Sequence, residues 1–183
     1  MEDSLYYNMY QDRLESDLLK ICTERGMLEG MLLQSQDLDD KWSAIAPEYI
    51  ADGVKEIAAY PTVSVAWAAY IGMAVACWWN RDWNGLKNQP YSVLLGSQGF
   101  DNMDDHIMQD ILGLMPGGIE TQGINETIKA CADDAVAHIR QEHIEPQSPR
   151  AFYVYARTVH VMFRIGAALE LYRLGYEMRE LSR

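Results

Sequence analysis

Only three cysteines occur in the 183 residues, at positions 22, 77 and 131. An odd, widely spaced set without Cys-x-x-Cys supplies neither a disulfide framework nor a zinc finger, so the three read as reduced core thiols. Positive charge is also scarce. Fifteen Lys and Arg against 27 Asp and Glu leave a net charge of −12, which repels a phosphate backbone or an anionic membrane over most of the surface. No nucleic-acid partner is expected. The opening MEDSLYYNMYQDRLESD lacks a basic stretch leading into an apolar one, the mark of a secretory signal, and the expected compartment is the cytoplasm.

Enzyme templates are missing too. There is no Gly-x-Gly-x-x-Gly, no Gly-x-x-x-x-Gly-Lys, no Gly-x-Ser-x-Gly, no His-Glu-x-x-His, and no Glu-x-x-His of the four-helix di-iron kind. No motif therefore demands a cofactor. Repeats, low-complexity tracts and inter-domain linkers are absent as well, so residues 1–183 read as one domain.

What the chain does have is helical periodicity throughout, at an ordinary globular composition of 49% hydrophobic and 23% charged residues. Tyr7, Leu14, Leu18, Ile21, Leu28 and Leu32 mark an amphipathic stripe from Ser4 to about Leu33. Gly26 and Gly30 interrupt it, and close packing of another helix is the simpler explanation. A second helix carries Trp42, Ile45, Ala46, Tyr49 and Ile50, with a kink or fresh start expected at Pro47. Pro61 opens a third.

That third helix poses the main question. Positions 57 to 80 are uncharged, about the length of a membrane span. The content is mostly Ala with few large aliphatics, marginal for insertion, so the run is read as a buried central helix at about 61–80 and no membrane span is expected. Ser64, Ala68, Gly72 and Ala76 form a small-residue ridge along it. Residues 82–101 read as a long irregular loop, followed by a helix capped at Asp101 or Asn102 that stops at Met115-Pro116-Gly117-Gly118. A fifth helix is expected from about Asn125 to Ile144. A last one, capped by Ser148 with Pro149 in its first turn, is expected to reach Leu181. The fold class is thus all-α, a bundle of five or six helices around the central one.

Three groups of residues are site candidates. Trp78, Trp79 and Trp83 crowd the end of the central helix, where they either roof the core or reach out to a ligand or partner. Arg157, His160 and Arg164 share one face of the last helix, turned away from Glu170, Arg173 and Glu177. Either that helix exposes different sides at its two ends, the simpler reading, or the three point inward, meet acids and offer an anion site. Finally Asp104, Asp105 and His106 at a helix start, with Asp134 and His138 one turn apart on the fifth helix, would hold a divalent metal if the two stripes met. The primary expectation is a non-catalytic helical interaction or small-ligand-binding module that self-associates or takes a protein partner. The alternative is a metal-dependent hydrolase on that Asp/His set.

Overall fold

The computed structural model describes residues 2–181, which contain helices and no strand. Helix α1 (Glu2–Glu24) stops earlier than expected. Gly26 and Gly30 lie at φ +74° and +78°, and a Cβ on either would touch nothing, so they are not contact points for another helix. Gly26 closes the helix instead: its N–H donates to Thr23 O and that of Met27 to Cys22 O, at 3.0 and 2.9 Å, the left-handed cap that glycine adopts without strain.

Helix α2 (Gln36–Glu56) is capped by Ser35, whose hydroxyl accepts from the Asp37 N–H. It runs through Pro47 rather than restarting there. Ser43, whose carbonyl loses its i+4 donor at Pro47, is exposed and open to water.

Helix α3 (Pro61–Leu86) begins at the expected proline and is buried from Ser64 to Trp78 except at the half-buried Trp67. It is long and apolar enough to cross a membrane, yet 78% of its most apolar stretch is covered by the rest of the protein. Helices α2, α6 (Ile119–Gln141) and α7 (Pro149–Arg173) pack around it, while α1 lies against α6 and α7. Contacts Ser64 to Tyr155 and Asn80 to Tyr176 show that α3 and α7 run in the same direction. Their approach is very close. A Cβ on Gly72 would strike the Phe163 carbonyl and lie 2.7 Å from Ala167 N; one on Gly166 would strike the Ala69 carbonyl. The small-residue ridge of α3 is therefore spent inside the chain, on α7.

The segment expected as a loop at 82–101 is largely ordered. Asp82 breaks the α3 helix (φ −164°, ψ 82°), a last turn follows to Leu86, and α4 (Tyr91–Leu95) and a 3-10 turn (Phe100–Asn102) fill the rest. Long-range bonds pin it. The Lys41 ammonium donates to Gln89 O (2.6 Å), Tyr91 OH to Asp52 (2.9 Å) and the Trp67 indole to Phe100 O (2.6 Å). The next helix starts as α5 (Met103–Asp105), widens into a π-helical turn over His106–Ile111 and ends there, short of Met115.

Helix α6 starts at Ile119 behind Gly118, one and a half turns before the expected Asn125 cap. Asn125 lies inside it and accepts from Tyr70 OH at 2.7 Å. Helix α7 has the expected Ser148 cap and Pro149 but stops at Arg173, because Gly175 (φ +92°) and the Tyr176 N–H, donating to Leu171 O, close it. The short α8 (Met178–Leu181) follows.

Candidate functional site

Helix α2 carries more apolar surface than the core consumes. Leu38, Trp42, Ile45 and Tyr49 are buried, but the adjoining stripe lines a groove, with Ala46 and Ile50 half-buried against the core and Pro47, Ala51 and Val54 exposed. Phe152 and Ala156 of α7 form the opposite wall of this open groove, which measures about 680 Å³. Val54 and Phe152 remain 42% and 48% exposed, unusual for large apolar side chains facing each other across one cleft.

Arg157 and His160 of α7 stand at its polar end, with Arg164 one turn beyond, and the three meet different partners. Arg164 donates to Glu15 at 2.6 Å and to Gln34, and lies 4.0 Å from Asp39. His160 stacks on Trp42, with ring centroids 6.1 Å apart, and its Nε2 is 3.6 Å from Asp39. With Arg164 bound to Glu15, the three do not form a joint anion site. Burial pushes the Glu15 carboxyl up from the usual carboxylate range, against the opposing pull of Arg164. Arg157 differs: it donates to the neutral amide oxygens of Asn8 (2.9 Å) and Gln11 (2.7 Å), which orient the guanidinium without cancelling its charge.

The tryptophans roof the core. Trp78 is buried, Trp79 is half-buried with its indole N–H on Asp37 (3.0 Å) and its ring edge-on to Tyr176, and Trp83 packs partly buried against the same cluster. None of the three lines the groove.

The metal candidates separate. His106 sits over Gly96, whose positive φ and missing Cβ make room for the ring, in a polar pocket of about 200 Å³ with Ser97, Gln98, Asn102, Asp105, Gln109 and Asp110. Both ring nitrogens face oxygens at 2.8 Å: Nε2 donates to Val93 O, and Nδ1 lies against Asp110 of the same helix rather than toward Asp134 or His138. Asp104 is half-buried, and that burial raises its carboxyl. Asp134 and His138 meet not this cluster but α1. The Asp17 carboxylate lies 2.8 Å from His138 Nε2, and Asp134 Oδ2 is 3.4 Å from the same nitrogen. Among the described residues these are the three that could share an ion, their ligand atoms all within 4.8 Å of one another.

Two features escaped sequence reasoning. Glu170, counted with the outward charges of α7, is fully buried and held in a two-point pair by Arg173 (2.6 and 2.8 Å), which also reaches Glu120 at 3.1 Å. Burial raises the Glu170 carboxyl although the pair itself acts to lower it, while the same pair raises Arg173. Desolvation thus outweighs pairing on the acid side. Cys22 and Cys131 meet in the core as free thiols with sulfurs 3.6 Å apart, and their separation of 109 positions left no sequence signal. Comparison with protein-family models, curated proteins and solved structures finds no match to this chain.

Proposed function

We propose that the protein is a non-catalytic interaction module of the cytoplasm that receives an amphipathic helix of a partner protein in the groove between α2 and α7. The observation that carries this reading is the apolar groove in which exposed Pro47 and Val54, beside half-buried Ala46 and Ile50, line one wall and Phe152 and Ala156 the other. An open cleft cannot enclose most of a small molecule as a ligand pocket does. Two helices side by side instead present the trough into which a third packs, with apolar anchors at i, i+3, i+4 and i+7. At the polar end Arg157 selects a partner helix carrying a carboxylate one or two turns beyond its apolar anchors. The three free buried thiols suit a reducing compartment.

Self-association draws less support than the sequence offered, because the α3 ridge is occupied by α7 and the Gly26 and Gly30 notch touches nothing. A hydrolase centre joining Asp104, Asp105 and His106 to Asp134 and His138 is likewise unsupported by the placement of His106.

The test uses anilinonaphthalene sulfonate, an apolar anion shaped like the anchor and carboxylate together. The dye is expected to brighten on the wild type and to be displaced by a synthetic amphipathic peptide. Val54→Asp and Phe152→Ser, both at exposed positions, should abolish both effects with the circular dichroism unchanged. Dye binding and displacement that survive both substitutions would refute the groove as the docking site. Sedimentation velocity on the same samples separates a foreign helix from a second copy: the wild type alone is expected to run as a monomer.

A further inference from the structure

The seam between α1 and α6 is polar along one edge. Glu142 accepts from Tyr6 OH at 2.6 Å and lies 3.4 Å from Arg13, and one turn further in His138 meets Asp17. The arithmetic of donors fails at that second position. His138 Nε2 carries one hydrogen at most, and two carboxylates converge on it. Asp17 takes it at 2.8 Å. Asp134 Oδ2, at 3.4 Å, is an atom shut off from solvent with no hydrogen-bond partner, on a side chain that is 37% exposed as a whole. A buried acceptor without a donor is costly, and one beside a second carboxylate more so.

A divalent cation in place of that proton would satisfy all three groups at once. We propose that Asp17, Asp134 and His138 form a three-ligand zinc site that joins α1 to α6. Zinc takes imidazole nitrogen and carboxylate oxygen at about 2.0–2.1 Å in tetrahedral geometry, which sets neighbouring ligand atoms about 3.3 Å apart. The His138 to Asp134 separation of 3.4 Å already matches. The Asp17 contact must open by about half an ångström from 2.8 Å to reach the same spacing. Asp17 is the half-exposed member, on the outer side of α1, so its side chain has room to move and the fourth position is open to water. The site is independent of the α2 and α7 groove: it lies on a different pair of helices and shares no residue with it.

Isothermal titration of metal-free protein with zinc chloride, with thermal denaturation of the same samples, tests this. One zinc per chain and a higher melting temperature with zinc are expected. His138→Gln and Asp17→Asn should each weaken binding at least tenfold and remove the thermal shift, while His106→Gln, in the separate polar pocket, should change neither. Asp17→Asn alters a half-exposed side chain and so keeps the test valid if His138→Gln compromises folding. Absence of saturable binding, or zinc binding unaffected by Asp17→Asn, would overturn the assignment.

Discussion

Glycine to alanine in a helix has opposite signs at two places in this chain, and the structure says which is which. Alanine is worth about 0.5–1 kcal/mol over glycine in a helix, through the lower conformational entropy it leaves in the unfolded chain. Gly123, inside α6, has a right-handed φ and nothing within 4 Å of a built Cβ, so Gly123→Ala should gain that full amount. Gly166 starts with the same gain. Its Cβ, however, would collide with the Ala69 carbonyl and lie 2.7 Å from Ala69 Cα, against an ordinary contact of 3.4 Å or more. The obstacle is backbone, which no rotamer change relieves, so α3 and α7 must move apart and lose contacts along the central pair. Overpacking of this kind costs about 1–3 kcal/mol, and rigid backbone on both sides places Gly166→Ala at the top of that range. The net loss is about 2 kcal/mol. At about 2–4 °C per kcal/mol for a chain of this size, Gly166→Ala should melt about 4–8 °C lower and Gly123→Ala about 1–4 °C higher, read by calorimetry. A Gly166→Ala protein as stable as the wild type would refute the close approach of α3 and α7.

Alkaline unfolding should be cooperative. Tyr10, Tyr49, Tyr70, Tyr91 and Tyr155 have phenols raised above the usual value by burial, so the unfolded chain releases their protons first and stability falls as pH rises above about 10. At pH 11 each contributes about 1.4 kcal/mol of loss and the five about 7 kcal/mol, comparable to a whole domain's stability. Tyrosinate absorbance should therefore rise together with loss of helical circular dichroism; full tyrosine ionisation with helices intact would contradict this. Arg173→Ala leaves the Glu170 carboxylate buried without its partner and should cost about 3–5 kcal/mol in denaturant unfolding, whereas Glu170→Gln keeps a hydrogen-bonding group beside Arg173 and should cost less. The reverse order would show that Glu170 is not the buried member. Raised carboxyls at Glu15, Asp104 and Glu170 bind protons more tightly in the folded state, so their contribution to stability grows as pH falls from neutrality through their folded values. As pH is lowered below neutrality the melting temperature of the wild type should gain relative to that of Glu15→Gln; identical responses of the two would contradict it.

Elements marked by composition or by caps were legible in the sequence. The uncharged run of α3, the Pro61 start and the Ser148-Pro149 cap of α7 depend on local chemistry and came out as expected. Gly26 and Gly30 were ambiguous because glycine serves both close packing and left-handed caps, and only φ distinguishes the two. The start of α6 was hidden because Ile119 is 92% exposed and Gly123 interrupts the first turns, so no apolar stripe announces them. The irregular composition of 82–101 concealed short helices held by distant partners such as Lys41 and Asp52. Site residues were half legible. His138 and Asp134 were readable as a one-turn pair, but Asp17 lies 121 positions from His138, and a lone acid on an amphipathic helix carries no signal of its partner. The groove was invisible for a related reason: the stripe of α2 predicts apolar surface, and only the packing reveals which part of it stays uncovered.

The most direct test of the groove is an amide NMR titration of the isotope-labelled protein with a helical peptide bearing leucines at i, i+3, i+4 and i+7 and one glutamate. Shifts concentrated in 43–54 of α2 and 152–160 of α7, with the Arg157 side chain moving and with no response in Val54→Asp, are the predicted result. Shifts elsewhere on the bundle, or none at saturating peptide, would contradict the account.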